Sequence, residues 1–308
     1  MRTLLANRLY LGYALFVNIG SFLGMLVFGI IWSLTIVIRN GVSDPQAAAE
    51  VAETATQNAW QDLFQLGMAL SMLVFAWIVW GYVKRYRRIL GWDRALRPAP
   101  TLLLTITILA FNQFYVAFLL WFAPPRFLRA AFKPYDASSL WGYAAAAVVY
   151  IILAPLIEEW LFRGIMLRSY ASARGPAFAL AASAFLFAVL HIAPITVVFA
   201  LGMGYLFGRW VLSGGGLLET FTAHAFNNSV SFALSICGAG QTLSHRASST
   251  AGIAGLLGGL AIIWLFTRWI RFKSIIAKTN EPILSLSLAT TAIAASVLFL
   301  FSLSEMFS

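Results

Sequence analysis

Charge is scarce in this sequence. Only 10% of its 308 residues are Asp, Glu, Lys or Arg, whereas 61% are hydrophobic, and the mean hydropathy is +0.83. A soluble domain carries about 25% charged residues, so this chain lacks the polar side chains that would cover a water-exposed surface. A separate soluble domain is excluded as well, because the longest polar stretch, residues 40–62, is too short to fold alone. We therefore predict an all-α fold, a multi-pass transmembrane helical bundle in the lipid bilayer.

Cysteine is nearly absent too. With Cys237 alone, no intramolecular disulfide can form. A removable leader is not expected either, because the N-terminal apolar stretch continues to about residue 38 without a small-residue cleavage site. The net charge of +10 does not indicate a nucleic-acid partner, since the basic residues stand at the ends of apolar runs, where orientation signals stand.

About eight or nine segments are long and apolar enough to be membrane spans, which need about 20 residues. The fifth and sixth are short and separated by Pro194, so they can also be read as one broken hairpin. We divide the chain into N-terminal spans with a basic loop (1–138), a central core (139–238) and C-terminal spans (239–308). The candidate spans are 10–38, 63–83, 101–123, 139–162, 177–192, 195–212, 217–237, 251–270 and 283–303.

Lys and Arg follow the even-numbered spans more often than the odd-numbered ones. Two arginines precede the first span, six basic residues follow the second between Lys84 and Arg97, and further groups follow the fourth, sixth and eighth. The positive-inside rule then places the N-terminus in the cytoplasm and Ser308 outside, with the cell membrane as the expected location. A weaker basic group between Arg126 and Lys133 lies on the opposite side.

Acidic residues are rarer still, and three of the eleven fall within or close to an apolar span: Glu158, Glu159 and Glu219. A charge in hydrocarbon costs about 2.5–3.5 kcal/mol, so such groups are expected to face a bundle interior. Glu219 stands near a span start, which is compatible with an interfacial position. Glu159 and Arg163 are spaced i, i+4 and can form an ion pair, which leaves Glu158 as a proton acceptor, although a long arginine can reach either glutamate.

Two of the three histidines, His191 and His224, also lie in apolar spans. Each alone is more often a structural hydrogen-bonding residue. Together with the glutamates, and with Asn228 on the same helix face as His224, they form a set suited to hydrolysis: a base for water and donors for an oxyanion. We expect the fourth to seventh spans to form one polar cavity open to the cytoplasm, with these side chains inside it.

Three motifs in this order resemble the CPBP family of intramembrane proteases, which includes type II CAAX prenyl endopeptidases and bacteriocin-processing or immunity proteins. EEWLFRG matches EExxxR at Glu158, Glu159 and Arg163; FAVLH matches FxxxH at Phe187 and His191; HAFNN matches HxxxN at His224 and Asn228. The resemblance covers residues 140–238. It implies an endopeptidase in which the two glutamates and His191 activate water and His224 with Asn228 forms the oxyanion hole, while Arg163 and Phe187 give structural support.

The resemblance implies a peptide or protein substrate, with or without a lipid modification. We expect this substrate near the cytoplasmic face, where the glutamates lie in the predicted topology, and we expect no cofactor. Zinc held by Glu158, His191 and His224 is the alternative, although the spacing is not that of a HExxH site. Two other classes stay open. One is a non-catalytic membrane protein, such as a bacteriocin-immunity factor. The other is a proton-coupled transporter, disfavoured because the sequence has no detectable inverted repeat.

Overall fold

A computed structural model describes residues 3–90, 95–124, 128, 135–191, 194–237 and 249–270. Within these ranges the chain forms eight helical rods and no strands, which confirms the predicted all-α bundle. The ninth predicted span, 283–303, lies outside the described residues. The rods are α1 Thr3–Arg39, α2 Pro45–Leu90, α3 Pro98–Phe122, α4 Leu140–Arg174, α5 Pro176–Val189, α6 Pro194–Leu212, α7 Leu217–Ile236 and α8 Ser249–Trp269.

Five of these helices are long and apolar enough to cross a membrane: α1, α2, α3, α4 and α8. Helix α5 has 14 residues, which reach about 21 Å, less than the ~30 Å of a bilayer core. The long apolar helices show that the chain is an integral membrane protein.

The exposed apolar side chains are concentrated on α1, α2, α3 and α8. Helices α1 and α2 pack closely enough that a Cβ on Gly24 would meet the backbone of Gly67. In contrast, all eight residues of Glu159–Met166 in α4 are buried. The molecule therefore has α4 at its centre, with lipid-facing helices around it.

Helix α2 begins much earlier than the sequence suggested. The polar stretch 40–62 was interpreted as a loop, but it is helical from Pro45 onward. The Asp44 carboxylate accepts a hydrogen bond from the Ala47 amide, as an N-cap does, and a proline is favoured in the first helical turn. Polarity alone was misleading here, because the stretch is rich in Ala, Gln and Glu, which are strong helix formers.

Helix α4 is also longer than expected. It continues to Arg174, twelve residues past the predicted end at 162, which is about three turns. Two stretches, Val148–Leu153 and Glu159–Met166, are π-helical. The first precedes Pro155, whose ring would clash with a carbonyl one turn earlier in a regular α-helix, and the wider turn relieves that clash. Glu158 thus lies near the middle of this helix, although the predicted span 139–162 had placed it close to the end.

Helices α5 and α6 form an antiparallel hairpin. Gly204 on α6 faces Ala184 and Phe187 on α5, and Gly208 faces Leu180, so the contacts run in opposite directions along the two helices. The broken hairpin interpretation of this region therefore holds. A Cβ on Gly204 would lie 3.1 Å from the Ala184 backbone, which explains why a residue without a side chain stands there. The hairpin brings His191, which follows α5, close to α4 and α7.

Candidate active site

Glu159 is the centre of a buried polar cluster. Its Oε1 atom accepts a hydrogen bond from Arg163 Nη1 at 2.9 Å and lies 3.0 Å from His224 Nδ1. Glu159 and Arg163 are fully buried, and His224 is 2% exposed. Because a carboxylate only accepts hydrogen bonds, Nδ1 of His224 is protonated and donates a hydrogen bond to Glu159. The ion pair expected from the i, i+4 spacing is present, and it orients His224 as well.

Glu158 has a different environment. Its Oε1 atom accepts a hydrogen bond from the Tyr13 hydroxyl at 3.2 Å. Its Oε2 atom lies 3.8 Å from His224 Nε2, and 14% of the side chain is exposed. The distance to Nε2 is too long for a direct hydrogen bond. Of the two glutamates, Glu158 is therefore the one with an oxygen accessible to another molecule.

Aromatic rings enclose the guanidinium of Arg163. Its Cζ atom lies 4.2 Å from the ring centre of Phe187 and 5.2 Å from that of Phe207. Such cation–π contacts stabilise a cation that water cannot reach. The Phe187 ring also packs edge-on against His191 and His224, at centroid distances of 4.8 and 6.0 Å. Phe187 thus links the arginine to both histidines.

His191 stands just after the end of α5 and is partly buried. Its Nδ1 atom lies 3.0 Å from the backbone carbonyl of Phe187. The carbonyl can only accept, so Nδ1 carries the proton and Nε2 has the free lone pair. In the described part of the chain His191 makes no ion pair with a glutamate, and its place beside the cluster comes from its contact with Phe187.

Asn228 does not hydrogen-bond to the glutamates. Its Nδ2 atom donates to the backbone carbonyl of Tyr150 at 2.9 Å. This carbonyl is free for a local reason. In the π-helical stretch an amide donates to the carbonyl five residues earlier, as the Ala154 amide does to Val149. The amide that would donate to the Tyr150 carbonyl is therefore that of residue 155. Pro155 has no N–H, so Asn228 supplies the missing donor. The second N–H of the Asn228 amide remains available.

Two residues of the site were missed by the sequence interpretation. Tyr13 comes from α1, outside the predicted core, and is 2% exposed. Asn112 on α3 donates to Asn227 Oδ1 at 3.0 Å, and Asn227 in turn donates to Asn228 at 3.4 Å. A signal for Tyr13 does exist. Asn7, Tyr10 and Tyr13 are spaced by three on an apolar helix, and all three are buried.

Glu219 is a buried anchor between helices. Its carboxylate accepts hydrogen bonds from Arg97, Trp210 Nε1 and the Gly216 amide. These contacts tie the start of α3 to the turn between α6 and α7. Arg97 is half exposed, and the hydrogen bond with Glu219 raises its pKa. Glu219 thus stabilises the fold and is separate from the Glu158–His224 cluster.

The alternative zinc site does not fit the arrangement of these side chains. Among the described residues, no group of three His, Cys, Asp or Glu side chains is placed to hold a metal ion. We therefore derive no step through a metal.

A cavity of about 520 Å³ lies between α2, α4 and α7. It does not lie where a cavity was expected, among the fourth to seventh spans. Its wall includes Tyr150, whose carbonyl binds Asn228, but none of the predicted site residues. The side of the bundle that carries this cavity is formed in part by α2, which the sequence had not connected with the site.

Residues 140–230 match the family model described as Type II CAAX prenyl endopeptidase Rce1-like. The matched segment contains Glu158, Glu159, His191, His224 and Asn228. This part of the chain is similar to the Rce1-like domain family. This segment lies inside the predicted core, 139–238, and it supports the resemblance to CAAX proteases drawn from the three motifs. No curated protein and no solved structure matches the chain.

The Rce1-like domain implies a peptidase that acts on a protein or peptide. It comprises α4, α5, α6 and most of α7, the helices that carry the buried polar cluster. Tyr13 and Asn112 reach the Rce1-like domain from outside the matched residues. The site is thus built by the domain together with two helices that precede it.

Proposed function

We propose that the chain is an intramembrane endopeptidase that cleaves a membrane-associated peptide or protein with water activated by Glu158. The observation that carries this proposal is the asymmetry of the glutamate pair. Glu159 is held by Arg163 and His224, while Glu158 keeps an accessible oxygen 3.8 Å from His224 Nε2. A base must reach its proton, and Glu158 is the carboxylate that satisfies this condition.

The attacking water fits between Glu158 Oε2 and His224 Nε2. Because their separation of 3.8 Å is less than twice a normal hydrogen bond of about 2.8 Å, one water can contact both atoms. Glu158 takes a proton from this water, and the resulting hydroxide attacks the substrate carbonyl. The same proton then passes to the amide nitrogen as the C–N bond breaks. The products are a carboxylic acid and an amine, so the step needs no further reactant.

Donors for the oxyanion come from His224 and Asn228 in this proposal. In this proposal His224 is doubly protonated throughout the step: its Nδ1–H donates to Glu159, which stabilises the imidazolium, and its Nε2–H donates to the developing negative charge. Asn228 is fixed through Tyr150 and offers its second N–H. His191, with a free lone pair on Nε2, is proposed to accept a hydrogen bond from the water or the substrate.

We also propose that the chain lies in the cell membrane, that cleavage takes place near the cytoplasmic face, and that the substrate carries a lipid modification. The description of the matched family names CAAX prenyl endopeptidases, so a farnesylated peptide with a C-terminal CAAX sequence is the first substrate to test, beside the same peptide without the lipid. A membrane-binding or immunity protein without catalytic activity is the competing proposal. It predicts that neither peptide is hydrolysed.

The decisive experiment compares Glu158→Gln with the parent protein, purified in detergent and assayed for release of the C-terminal tripeptide. We expect hydrolysis to be lost while the folded helical content and the Tm remain near those of the parent. Asn228→Ala should lower the rate by roughly 10²–10³, as the loss of one oxyanion donor does. If Glu158→Gln and Glu159→Gln both cleave at the parental rate, the proposed mechanism is wrong.

Arg163→Ala serves to separate structure from catalysis. It leaves the carboxylate of Glu159 buried without its cation, and such a change destabilises a protein by about 3–5 kcal/mol. We expect a large fall in Tm that Glu158→Gln does not cause. If Arg163→Ala folds with the parental Tm, the assignment of Arg163 as the structural partner of Glu159 is wrong.

A further inference from the structure

The cavity between α2, α4 and α7 contains buried polar atoms without partners. Gln61 Oε1 and Gln65 Oε1 are both buried, and neither has a hydrogen-bond partner among the described residues. Gln65 is only 4% exposed, and its Nε2 atom donates to the Tyr150 hydroxyl at 3.1 Å, which fixes the side chain against the cavity wall. Buried acceptors are normally satisfied, so two of them in one cavity wall indicate that a ligand supplies the donors.

Apart from Ser235, the rest of the wall is aromatic. Trp60 and Phe64 come from α2, and Phe232 comes from α7. A volume of about 520 Å³ falls in the range of small-ligand pockets, roughly 300–1,000 Å³. The ligand must therefore combine apolar groups with hydrogen-bond donors. A hydrocarbon chain fills such a wall but leaves both glutamine oxygens unpaired, whereas a peptide offers an N–H and a C=O at each residue and apolar side chains as well.

We infer that this cavity binds an apolar stretch of the polypeptide substrate, with backbone amides of that stretch on Gln61 and Gln65. The inference rests on the proposed function and specifies where the substrate lies. Tyr150 is eight residues before Glu158 on α4, and Phe232 is eight residues after His224 on α7. Eight helical residues span about 12 Å, and an extended peptide covers that distance in about three or four residues. The cavity thus holds substrate residues three or four positions from the cleaved bond.

Binding is measured without cleavage, in the full-length Glu158→Gln protein in detergent. The probes are a mixture of synthetic tetrapeptides of apolar residues and, separately, farnesol as a hydrocarbon without peptide bonds. Equilibrium dialysis followed by mass spectrometry gives the retained fraction of each. We expect the peptides to be retained, and Gln61→Met and Gln65→Met each to weaken retention by about tenfold, the loss of one buried hydrogen bond.

The chain offers a matched control. Gln57 lies one turn before Gln61 on α2, but it is exposed and bonds to Glu53. Gln57→Met should leave peptide retention unchanged. Gln61→Met should keep or raise the Tm, because it removes an oxygen that is unpaired in the free protein. If Gln61 had only a structural role, its substitution would lower the Tm whenever it weakened peptide retention.

Three results would overturn the inference. The first is the absence of peptide retention. The second is peptide retention that is equal in the Gln61→Met, Gln65→Met and Gln57→Met proteins, and the third is farnesol retention that weakens in Gln61→Met and Gln65→Met as much as peptide retention does. The proposed function fails separately. If the parent protein hydrolyses no peptide but retention still depends on the two glutamines, the cavity inference stands alone. If the parent hydrolyses peptides and Gln61→Met leaves kcat/KM unchanged, only the cavity inference is lost.

Discussion

The adjacent carboxylates of Glu158 and Glu159 face different surroundings. Glu159 is fully buried and shares one oxygen between Arg163 and His224, whereas Glu158 is held by a single neutral hydroxyl from Tyr13. Two neighbours on a helix point about 100° apart, so one side chain can be fixed by charge while the other stays open. The Tyr13 contact is therefore a simple way to aim Glu158 without neutralising it.

Tyr13→Phe tests this positioning role. The substitution keeps the ring, which packs against Phe75, and removes only the hydroxyl that donates to Glu158. A hydrogen bond to a charged group contributes about 1.5–3 kcal/mol, so we expect kcat to fall roughly tenfold to a hundredfold. The steady-state hydrolysis of the CAAX peptide measures kcat and KM separately, and KM should change little.

Tyr10→Phe is the matched control for Tyr13→Phe. It also removes a buried hydroxyl from α1, but this one donates to the backbone carbonyl of Leu186 rather than to a glutamate. We expect a loss of stability of about 1 kcal/mol with kcat unchanged. Equal effects of the two substitutions on kcat would contradict a specific role of the Tyr13 hydroxyl at Glu158.

For single residues, the sequence could predict contacts between positions that are close together in the chain. The pairing of Glu159 with Arg163 follows from their spacing, and the histidines and Asn228 stand in short motifs. Tyr13 and Asn112 lie 145 and 115 residues from their partners. Nothing in a single sequence connects residues so far apart, because the connection arises only when helices pack.

Helix α4 combines a break in its hydrogen bonding with the groups of the site. Pro155 lacks the N–H that the π-helical register would offer to Tyr150, and Asn228 takes that place. A structural irregularity thus becomes an attachment point for a side chain of α7. The sequence shows the proline but not the register before it, so the role of Tyr150 could not be predicted.

Pro155→Ala tests whether this irregularity positions Asn228. Alanine restores an N–H at residue 155 that competes for the Tyr150 carbonyl, so Asn228 loses its anchor. One hydrogen bond contributes about 1 kcal/mol, and we expect kcat to fall about fivefold to tenfold with the Tm unchanged or higher. Pro176→Ala, at the first residue of α5 where an N–H is not needed, should leave kcat unchanged. An unchanged kcat in Pro155→Ala would contradict the role.

Helix α2 shows why a polar stretch of sequence is not necessarily a loop. Its first part is polar but made of residues with high helix propensity, and Asp44 caps it. Since the glutamines of the cavity also lie on α2, the sequence interpretation could not place a binding surface there. Composition distinguishes lipid-facing from water-facing residues, but it does not show which polar residues turn inward.

For the whole molecule, the distribution of Lys and Arg predicts the orientation in the membrane. A reporter enzyme inserted after residue 90 should be active on the cytoplasmic side, because six basic residues lie between Lys84 and Arg97. Paired cytoplasmic and exported reporters at this point measure the side directly. Activity of the exported reporter there would reverse the orientation and place the substrate face on the other side.

The hydrogen bond between Tyr13 and Glu158 also sets an order of events during synthesis. Tyr13 is made and inserted first, and 145 residues pass before its partner follows. His224 comes 65 residues after Glu159. Contacts at such sequence separation form late in folding. With the proposed function, a nascent chain therefore has no complete active site until α7 has entered the bundle, and it cannot hydrolyse neighbouring peptides in the membrane before that point.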